Sequence, residues 1–353
     1  MSDCLGLRQR WQRAPQAERW PASPSLQPPP VRRTKTGMRL AHCSDLHLLS
    51  LDGVRTLQFA NKRWIGGMNL ITSRGRHHHT EAFEDMVVDL IATAVDHVLC
   101  TGDVTNLAFE QEFRFARGFF DKLPQGAANV TVLPGNHDAY VNEGVGLFAK
   151  VFGDHASSDD DWRWPALDDR ACEPRPEEDR ATWPLVRVRG PLALIGLTTS
   201  RQSPWFTAYG RLGATQLERL RRVLGDPRLH GKARVVAIHH PPAGKRARSS
   251  IRGLKDHEAF AKIIADCGAE LVVHGHEHRD LRELLPTPNG PIEVLGVPSA
   301  TYHAKHPDRT ARYRIIEIAD DGRIVGQHLR VWHRARRVFE RDDAPPALRA
   351  ASA

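Results

Sequence analysis

The sequence predicts a protein of the α/β class, on the basis of two alternating patterns. Short apolar runs typical of buried strands occupy residues 38–44, 96–101, 129–133, 192–198, 234–239, 270–274 and 292–297. Segments with apolar side chains at helical spacing alternate with these runs, at 80–94, 109–122, 214–224 and 256–267. After residue 292 the pattern changes to strands alone, with 313–318 and 323–331 joined by the turn residues Asp320, Asp321 and Gly322.

Each predicted helix carries one apolar stripe, which indicates packing against a core. In chain order the stripes are Phe83, Met86, Val87, Leu90, Ile91 and Ala94; Phe109, Phe113, Ala116 and Phe120; Leu217, Leu220 and Leu224; and Phe260, Ile263 and Ile264. Thr80 and Asp256 are the expected N-caps, and Gly268 is expected to end the last helix.

The domain organisation follows from composition. Residues 1–37 are rich in Pro and Arg and are expected to be disordered. Residues 38–333 are predicted to form one domain with two long insertions, 51–79 and 153–183, each of which is either a lid beside a site or a packed excursion. Residues 334–353 are predicted to be a basic and then loose tail. Met38 opens the first strand, so the choice between Met1 and Met38 as the true start stays open.

The charge and the cysteines bear on partners and compartment. The net charge is +8, but residues 1–37 hold seven basic and two acidic side chains, so residues 38–353 carry only +3. A nucleic-acid partner is therefore possible but not favoured. No apolar run is long enough to span a membrane, and no signal peptide is visible. Five cysteines without a CxxC spacing indicate free thiols and a cytoplasmic protein.

Five short blocks of metal-ligand residue types each follow a predicted strand. They are Asp45-Leu46-His47, Gly102-Asp103, Gly135-Asn136-His137-Asp138, His239-His240-Pro241 and Gly275-His276-Glu277-His278. Ligands that protrude from strand ends are held by a rigid scaffold. Two divalent ions about 3.5–4 Å apart can turn a bridging water into hydroxide and clamp a phosphate group. The blocks therefore predict a two-metal site for phosphoester hydrolysis.

With these blocks, the chain resembles the calcineurin-like metallophosphoesterases. Their pattern is Asp-X-His, Gly-Asp, Gly-Asn-His-Asp/Glu, a His after a strand and Gly-His-X-His, and it is met here from Asp45 to His278. The resemblance covers roughly residues 38–330 and is closest in motif detail to bacterial-type (class III-like) phosphodiesterases of cyclic nucleotides and glycerophosphodiesters. It implies a four-layer αββα sandwich of two mixed β-sheets flanked by helices.

The resemblance also implies a role for each residue in the blocks. One metal is expected to take Asp45, His47, Asp103 and His278. The other is expected to take Asp103, Asn136, His239 and His276, so that Asp103 bridges the two ions. His137 would act on the leaving group as general acid or charge stabiliser, Asp138 would orient its loop, and Asn106 would hydrogen-bond His137 or a phosphate oxygen.

Several other histidines stay open at this point. His239 is chosen as the ligand because it lies two residues before Pro241, which leaves His240 either facing the substrate or structural. His274 is expected to be buried and hydrogen-bonded. The triplet 77–79 resembles a metal-binding tract without an assignable partner, and solvent exposure is expected for it, with phosphate contact as the alternative.

The substrate class is narrowed by the residue three positions after the bridging aspartate, which is Asn106. Protein phosphatases resemble one another in having Asp there, and purple acid phosphatases in having a Tyr ligand. The Asn is similar to that of small phosphodiesterases, so a small phosphodiester such as cyclic AMP is the expected substrate. Candidate substrate contacts, besides His240, are Trp64, Arg74, Arg76 and Trp205.

Three other functions stay in view. A nuclease of the same superfamily would use the same metals but needs a basic groove, and a lipid-linked nucleotide pyrophosphatase needs an apolar wall, for which residues 64–70 are the candidate. A non-catalytic scaffold would have lost ligands. For the metals, mixed nitrogen and oxygen ligands favour Mn or Fe, with Zn possible. The oligomeric state is not predicted.

Overall fold

The computed structural model of the chain describes residues 37–50, 78–139, 141–164, 183–204, 207–303 and 310–342. Residues 1–36, for which we predicted disorder, lie outside the described residues. So do the candidate substrate contacts Arg74, Arg76, Trp64 and Trp205.

Twelve strands form two sheets in the described part of the chain. They are β1 (Met38–Cys43), β2 (His97–Cys100), β3 (Val130–Val132), β4 (Leu185–Arg189), β5 (Leu192–Gly196), β6 (Ala233–Ile238), β7 (Leu271–His274), β8 (Leu281–Leu285), β9 (Ile292–Gly296), β10 (Arg312–Ile318), β11 (Ile324–His333) and β12 (Val338–Asp342). The first sheet has the order β12-β11-β10-β1-β2-β3 and the second the order β4-β5-β6-β7-β9-β8.

Both sheets are mixed, as the resemblance to the family implied. In the first sheet β1, β2 and β3 run parallel, and β10 pairs antiparallel with β1. In the second sheet β5, β6, β7 and β9 run parallel, and β4 and β8 are antiparallel to their neighbours. The carboxyl ends of parallel strands lie at one edge of a sheet, which is where open α/β sheets bind ligands.

Six α-helices lie in the described ranges. They are α1 (Thr80–Ala92), α2 (Glu110–Phe120), α3 (Asn142–Phe152), α4 (Ala214–Leu224), α5 (Gly244–Ala247) and α6 (His257–Cys267). The four helices predicted from apolar stripes are confirmed, although α1 ends at Ala92 rather than at 94 and α2 is shorter than the predicted 109–122. The N-cap of α1 is His79, not Thr80, which is the first helical residue.

Apolar side chains form three clusters, which give the layers of the sandwich. Leu40 of β1 and Leu194 of β5 belong to a cluster with residues of both sheets. The next residue, Ala41, belongs with Phe83 of α1 to a second cluster, because successive side chains of a strand point to opposite faces. The third cluster joins the second sheet to α4 and α6. The αββα architecture is therefore confirmed.

The structure corrects the predicted end of the domain. Residues 334–353 were expected to be a tail, but β12 pairs with β11 over Val338–Asp342 and extends the first sheet. Phe339 of this strand is buried with the core of that sheet. The sheet therefore continues past residue 333.

The described part of the second insertion, 153–164, is a packed excursion. Trp162 and Trp164 pack against the core of the second sheet, and the indole N–H of Trp164 donates to the carbonyl of Pro184 at 2.8 Å. Arg228 lies 3.8 Å above the ring of Trp162. The alternative of a lid is not supported for these residues.

None of the helices in the described ranges is both long and apolar enough to cross a lipid bilayer.

The loop before α2 depends on one buried carboxyl group. Oε2 of Glu112 accepts the backbone N–H groups of Leu107 at 2.9 Å and Phe109 at 3.1 Å, and the side chain is fully buried. Burial raises the pKa of Glu112 to about 8, although the backbone hydrogen bonds oppose this shift. The group is therefore neutral in the folded protein at pH 7.

We expect the Glu112→Gln variant to be as stable as wild type below pH 4.5, where the carboxyl group is neutral in both the folded and the unfolded chain, and more stable than wild type at pH 7, where the unfolded wild type is ionised. Relative to Glu112→Gln at pH 7, Glu112→Ala should lower the free energy of unfolding by about 1–3 kcal/mol for each backbone N–H left unpaired. Urea denaturation of chelator-treated protein measures these values. Equal stability of the Ala and Gln variants would contradict this role.

The difference in stability between wild type and Glu112→Gln should depend on pH. Because the folded-state pKa is raised from an ordinary value of 4.5 to about 8, the folded state binds the proton more tightly than the unfolded state. This contribution is complete below pH 4.5 and is lost as the pH rises through 8. Wild type should therefore lose stability relative to Glu112→Gln between pH 5 and pH 9. A constant difference over that range would count against the raised pKa.

Candidate metal centre

All seven side chains expected to bind metal follow the carboxyl ends of parallel strands. Those of the first sheet are Asp45 and His47 after β1, Asp103 after β2 and Asn136 after β3. Those of the second sheet are His239 after β6, and His276 and His278 after β7. The two sheets thus contribute to one site.

The backbone at these positions differs from the strand geometry that we expected. Asp45 and His47 were predicted to face one side because they alternate along a strand. In the structure β1 ends at Cys43, and both residues have a left-handed backbone, with φ of 55° and 44°. Asp103, His276 and His278 are also left-handed, with φ of 53°, 70° and 52°. Five of the seven side chains are therefore presented from strained backbone, which is typical of functional sites.

Close backbone approach explains two glycines of the motifs. A Cβ atom on Gly135 would lie 2.2 Å from Oδ1 of Asp103, and one on Gly275 would lie 1.9 Å from Oγ of Ser44. Any side chain at these positions would push the β3 and β7 loops away from the loops after β2 and β1. The small residues thus allow the four loops to converge.

One carboxylate oxygen lies between the two halves of the centre. Oδ2 of Asp103 is 3.7 Å from Nε2 of His47 and 3.5 Å from Nε2 of His239. The other oxygen, Oδ1, accepts the backbone N–H of His137 at 2.7 Å, which fixes the orientation of the carboxylate. Asp103 therefore has the position of a bridging ligand.

The first half of the centre brings together two imidazoles and a carboxylate. Nε2 of His278 lies 3.1 Å from Nε2 of His47 and 3.2 Å from Oδ1 of Asp45. That oxygen is buried and accepts no hydrogen bond within the described residues. Two ligands at about 2.0–2.1 Å from one ion stand roughly 3–3.4 Å apart, so the three atoms fit a shared cation.

In the second half of the centre, too, the ligand atoms lie close enough together to share one cation. Nδ1 of His239 donates to the carbonyl of Thr101 at 2.8 Å, which leaves Nε2 facing Oδ1 of Asn136 at 3.1 Å and Nδ1 of His276 at 3.3 Å. These are acceptor atoms that face one another, and they need a proton or a cation between them. The residues present fit a divalent metal in both halves.

The close approach of His239 and Asp103 shifts the pKa values of both side chains. Burial alone would lower the pKa of His239, but the charge and hydrogen bond of Asp103 outweigh it and raise the pKa to about 9. Burial alone would raise the pKa of Asp103, but His239 and His137 hold it well below its usual range. The two opposite shifts indicate that the site favours a positive charge beside Asp103.

Asn106 and His47 lie beside the expected general acid, and Asp138 orders the loop that carries it. Nδ1 of His137 lies 2.7 Å from the backbone carbonyl of Asn106, to which it donates, and its ring lies 4.7 Å from the ring of His47. Asp138 accepts hydrogen bonds from the backbone of Val104, Thr105 and Gly135. The side chain of Asp138 therefore ties the loops after β2 and β3 together.

Asn106 is hydrogen-bonded to His137, as expected, but through its backbone carbonyl. Its side-chain amide donates to the backbone carbonyl of His47. The alternative of a hydrogen bond to a phosphate oxygen stays a prediction. Asn106 links the loop that carries His47 to the loop that carries the acid.

His240 is structural rather than substrate-facing. Its Nε2 donates to the carbonyl of Ala208 at 2.9 Å, and its Nδ1 accepts from the hydroxyl of Thr199 at 2.7 Å. Burial, followed by the charge of His239, lowers its pKa to about 3. The neutral ring packs against His276 at 4.4 Å, so it supports the ligand and has both nitrogens engaged by protein. Its place among candidate substrate contacts is withdrawn.

Two further expectations have different outcomes. His274 is buried, and its Nδ1 lies 2.9 Å from the carbonyl of Gly275, as expected.

For the 77–79 triplet, the expected solvent exposure is wrong at His78 and His79, which are both half-buried. His78 lies beside the ligands, with ring distances of 4.8 Å to His47 and 5.8 Å to His278. Residue 77 lies outside the described residues.

Sequence reasoning missed the loop after β9, which supports the ligands from the far side. The hydroxyl of Ser299 donates to the carbonyl of Asp45 at 2.6 Å, and that of Thr301 donates to the carbonyl of Leu46 at 2.6 Å. Ser and Thr are too common for their position to have signalled this role. The loop is nevertheless what holds the left-handed backbone after β1.

Comparison with known proteins agrees with this geometry. The model of the calcineurin-like phosphoesterase family matches residues 38–280, which is more than half of the chain. The chain therefore belongs to this family, as its motifs implied.

The individual proteins that match this chain have low sequence identity to it. Over 131 residues the chain is 29% identical to a probable cyclic nucleotide phosphodiesterase of Synechococcus sp. (strain WH7803), a match that covers 34% of this chain and 49% of the relative. The chain thus spans about half the length of that curated relative. A dimetal phosphatase from Danio rerio has a TM-score of 0.53 at 13% identity, over 84% of this chain and 96% of that one. This likeness concerns the fold.

The Asp103→Asn variant should fail to bind two metal ions. The amide keeps the shape of the side chain but removes the negative charge that offsets two cations at once. Metal analysis after dialysis against Mn²⁺ or Zn²⁺ should give two ions per chain for wild type and fewer for the variant. Asp160→Asn, at an exposed carboxylate, is the matched control and should keep two. Full occupancy of Asp103→Asn would refute the bridging position.

Proposed function

We propose that the protein hydrolyses a small phosphodiester, cyclic AMP or a similar molecule, with two divalent metal ions. The observation that carries this proposal is the position of Asp103, whose one oxygen faces imidazoles of both halves of the centre. A family of phosphoesterases provides the reaction class. The ions would be Mn or Fe, with Zn possible, because the ligands are nitrogen and oxygen atoms without thiolate.

When bound, the two cations would supply an activated water and neutralise charge on the phosphoryl oxygens. The chain's own residues then have separate tasks. Asp103 supplies negative charge to both ions, and Asn136 adds a neutral oxygen, so that the centre keeps a positive charge for the phosphate. Asp45 and the imidazoles complete the ligand set at the distances described above.

The leaving group would be served by His137. Because Nδ1 donates to the carbonyl of Asn106, that nitrogen is protonated and Nε2 is the one that would give a proton to the departing alkoxide. The carbonyl also stabilises the charged form of the ring. A poor leaving group, such as a ribose oxygen, needs this proton more than a good one does.

A diester is favoured over other phosphoesters by two observations. Asn106 links two loops of the centre through its amide, where protein phosphatases resemble one another in carrying an acidic residue. The curated relative is named a probable cyclic nucleotide phosphodiesterase. Any contacts from Arg74 or Arg76 to the substrate would come from outside the described residues.

The proposal places the protein in the cytoplasm. Cys43 and Cys100 are opposite each other on neighbouring strands and are free thiols, as is Cys267. Buried free cysteines such as Cys43 and Cys100 are more typical of a reducing compartment than of a disulfide framework.

A screen with each divalent ion in turn tests the substrate class. We expect cyclic nucleotides and aryl phosphodiesters to be hydrolysed faster than aryl monoesters, as measured by formation of the nucleoside monophosphate or release of the aryl alcohol. Single-stranded DNA at two salt concentrations and a nucleotide-linked lipid are the competing arms. Faster cleavage of either, or of monoesters, would overturn the diester proposal, and inactivity on all of them with metals bound would favour a scaffold.

His137→Ala should retain both metals and lower the rate by about 10²–10⁴-fold for a cyclic nucleotide, the usual range for loss of a general acid. The loss should be much smaller for a p-nitrophenyl diester, because this leaving group needs no proton. The ratio of the two losses is the readout, and the second substrate is the internal control. Equal losses on both substrates, or loss of metal, would contradict the assignment.

A further inference from the structure

We propose that His78 is an additional protein ligand of the metal centre, on the ion held by His47 and His278. This inference rests on the two-metal part of the proposed function and goes beyond the seven residues assigned from the motifs. His78 lies at the end of the long first insertion, where the motifs give no reason to look for a ligand.

His78 is held in place by the loop after β9. Its backbone forms an antiparallel bridge with Tyr302, and its ring contacts the Tyr302 ring edge-on at 5.2 Å. The neighbouring backbone N–H of His79 donates to the carbonyl of Thr301 at 2.9 Å. His78 and His79 therefore lie against the same loop that supports Asp45 and Leu46.

The hydrogen bonds fix the tautomer of His78. Its Nδ1 lies 2.8 Å from Oγ1 of Thr301. The single hydroxyl proton of Thr301 is already donated to the carbonyl of Leu46 at 2.6 Å, so the oxygen can only accept from the ring. Nδ1 of His78 therefore carries a proton, and in the neutral ring Nε2 carries the lone pair that a metal needs.

This is the arrangement that metal-binding histidines usually have. One ring N–H donates to an oxygen of the protein, which orients the other nitrogen toward the ion. His239 shows the same pattern here, with Nδ1 on the carbonyl of Thr101 and Nε2 in the centre. His78 is thus prepared in the way that an assigned ligand is.

The position of the ring fits the first ion. One ligand atom each of His47, His78 and His278 lie within 4.8 Å of one another. Two ligands on opposite sides of one ion stand about 4.2 Å apart, so a small movement of the His78 ring would bring it into the coordination shell of that ion. A neutral imidazole adds a ligand without reducing the positive charge of the centre.

A fifth protein ligand would make the two ions unequal. The first ion would have Asp45, His47, His78, Asp103 and His278, whereas the second would have Asp103, Asn136, His239 and His276. Fewer positions would then be open on the first ion, and the phosphate would bind mainly on the side of Asn136 and His239.

The test measures metal binding to the full chain, independently of catalysis. In calorimetric titrations with Mn²⁺, His78→Ala should weaken the binding of one of the two ions by about tenfold or more and leave the other unchanged. Electron spin echo measurements on the Mn²⁺-loaded protein should show one fewer bound imidazole nitrogen. His78→Gln, which offers an amide oxygen, should recover part of the affinity.

His79→Ala is the matched control, because its ring lies beside Trp332 and His303 at 6.0 Å each rather than beside the ligands. It should bind both ions as wild type does. Unchanged affinities and nitrogen count in His78→Ala would overturn the proposal, and a raised KM in that case would make His78 a substrate contact. If no diester is hydrolysed but the titrations behave as expected, the proposed function fails and the ligand assignment stands.

Discussion

The centre depends on the charge of Asp103, because this carboxylate faces imidazole nitrogens of both halves, whereas Asp45 faces those of one half. One of its oxygens lies within 3.7 Å of imidazole nitrogens that follow strands of both sheets. A buried carboxylate is costly unless it is paired, and burial alone would raise its pKa. The facing imidazoles reverse that shift, and a cation would do so more strongly. The position of Asp103 therefore explains why the loops of two sheets meet at this point.

The energy needed to hold these loops comes from the layers beneath them. Five of the seven expected ligands have a left-handed backbone, a conformation that costs of order 1–3 kcal/mol for each such residue. Hydroxyl groups of Ser299 and Thr301, the amide of Asn106 and the carboxylate of Asp138 bind the strained segments to one another. The buried apolar clusters on both faces of each sheet keep the strand ends in register. Rigidity of the scaffold thus makes the strained site possible.

The sequence was most informative where one face or both faces of an element are buried. The apolar runs of β1, β2, β5, β6 and β7 were found because these strands are covered on both faces. β8 and β12 were missed because charged side chains interrupt their apolar residues, as with Arg282 and Glu283. The helix α3 was missed because Gly144 and Gly146 weaken its pattern.

At the site, the residue types were predictable but several contacts were not. The motifs identified the residues that meet around Asp103, because ligand types after successive strands can converge at only one edge. They could not separate His239 from His240 by environment, since the difference lies in Thr199 and Ala208, far away in the chain. The triplet 77–79 resembled a metal-binding tract, but no partner could be assigned to it, because Thr301 follows His78 by more than 200 residues. Such pairings exist only once the sheets are packed.

Each half of the centre takes its expected ligands from both sheets. Asp45 and His47 belong to the first sheet and His278 to the second, and the other half of the centre combines Asn136 with His239 and His276 in the same way. Each ion would therefore cross-link the two sheets at one end of their interface. Because metal binding favours the folded form, removal of the ions should first loosen that end, while the apolar interior between the sheets keeps the opposite end closed.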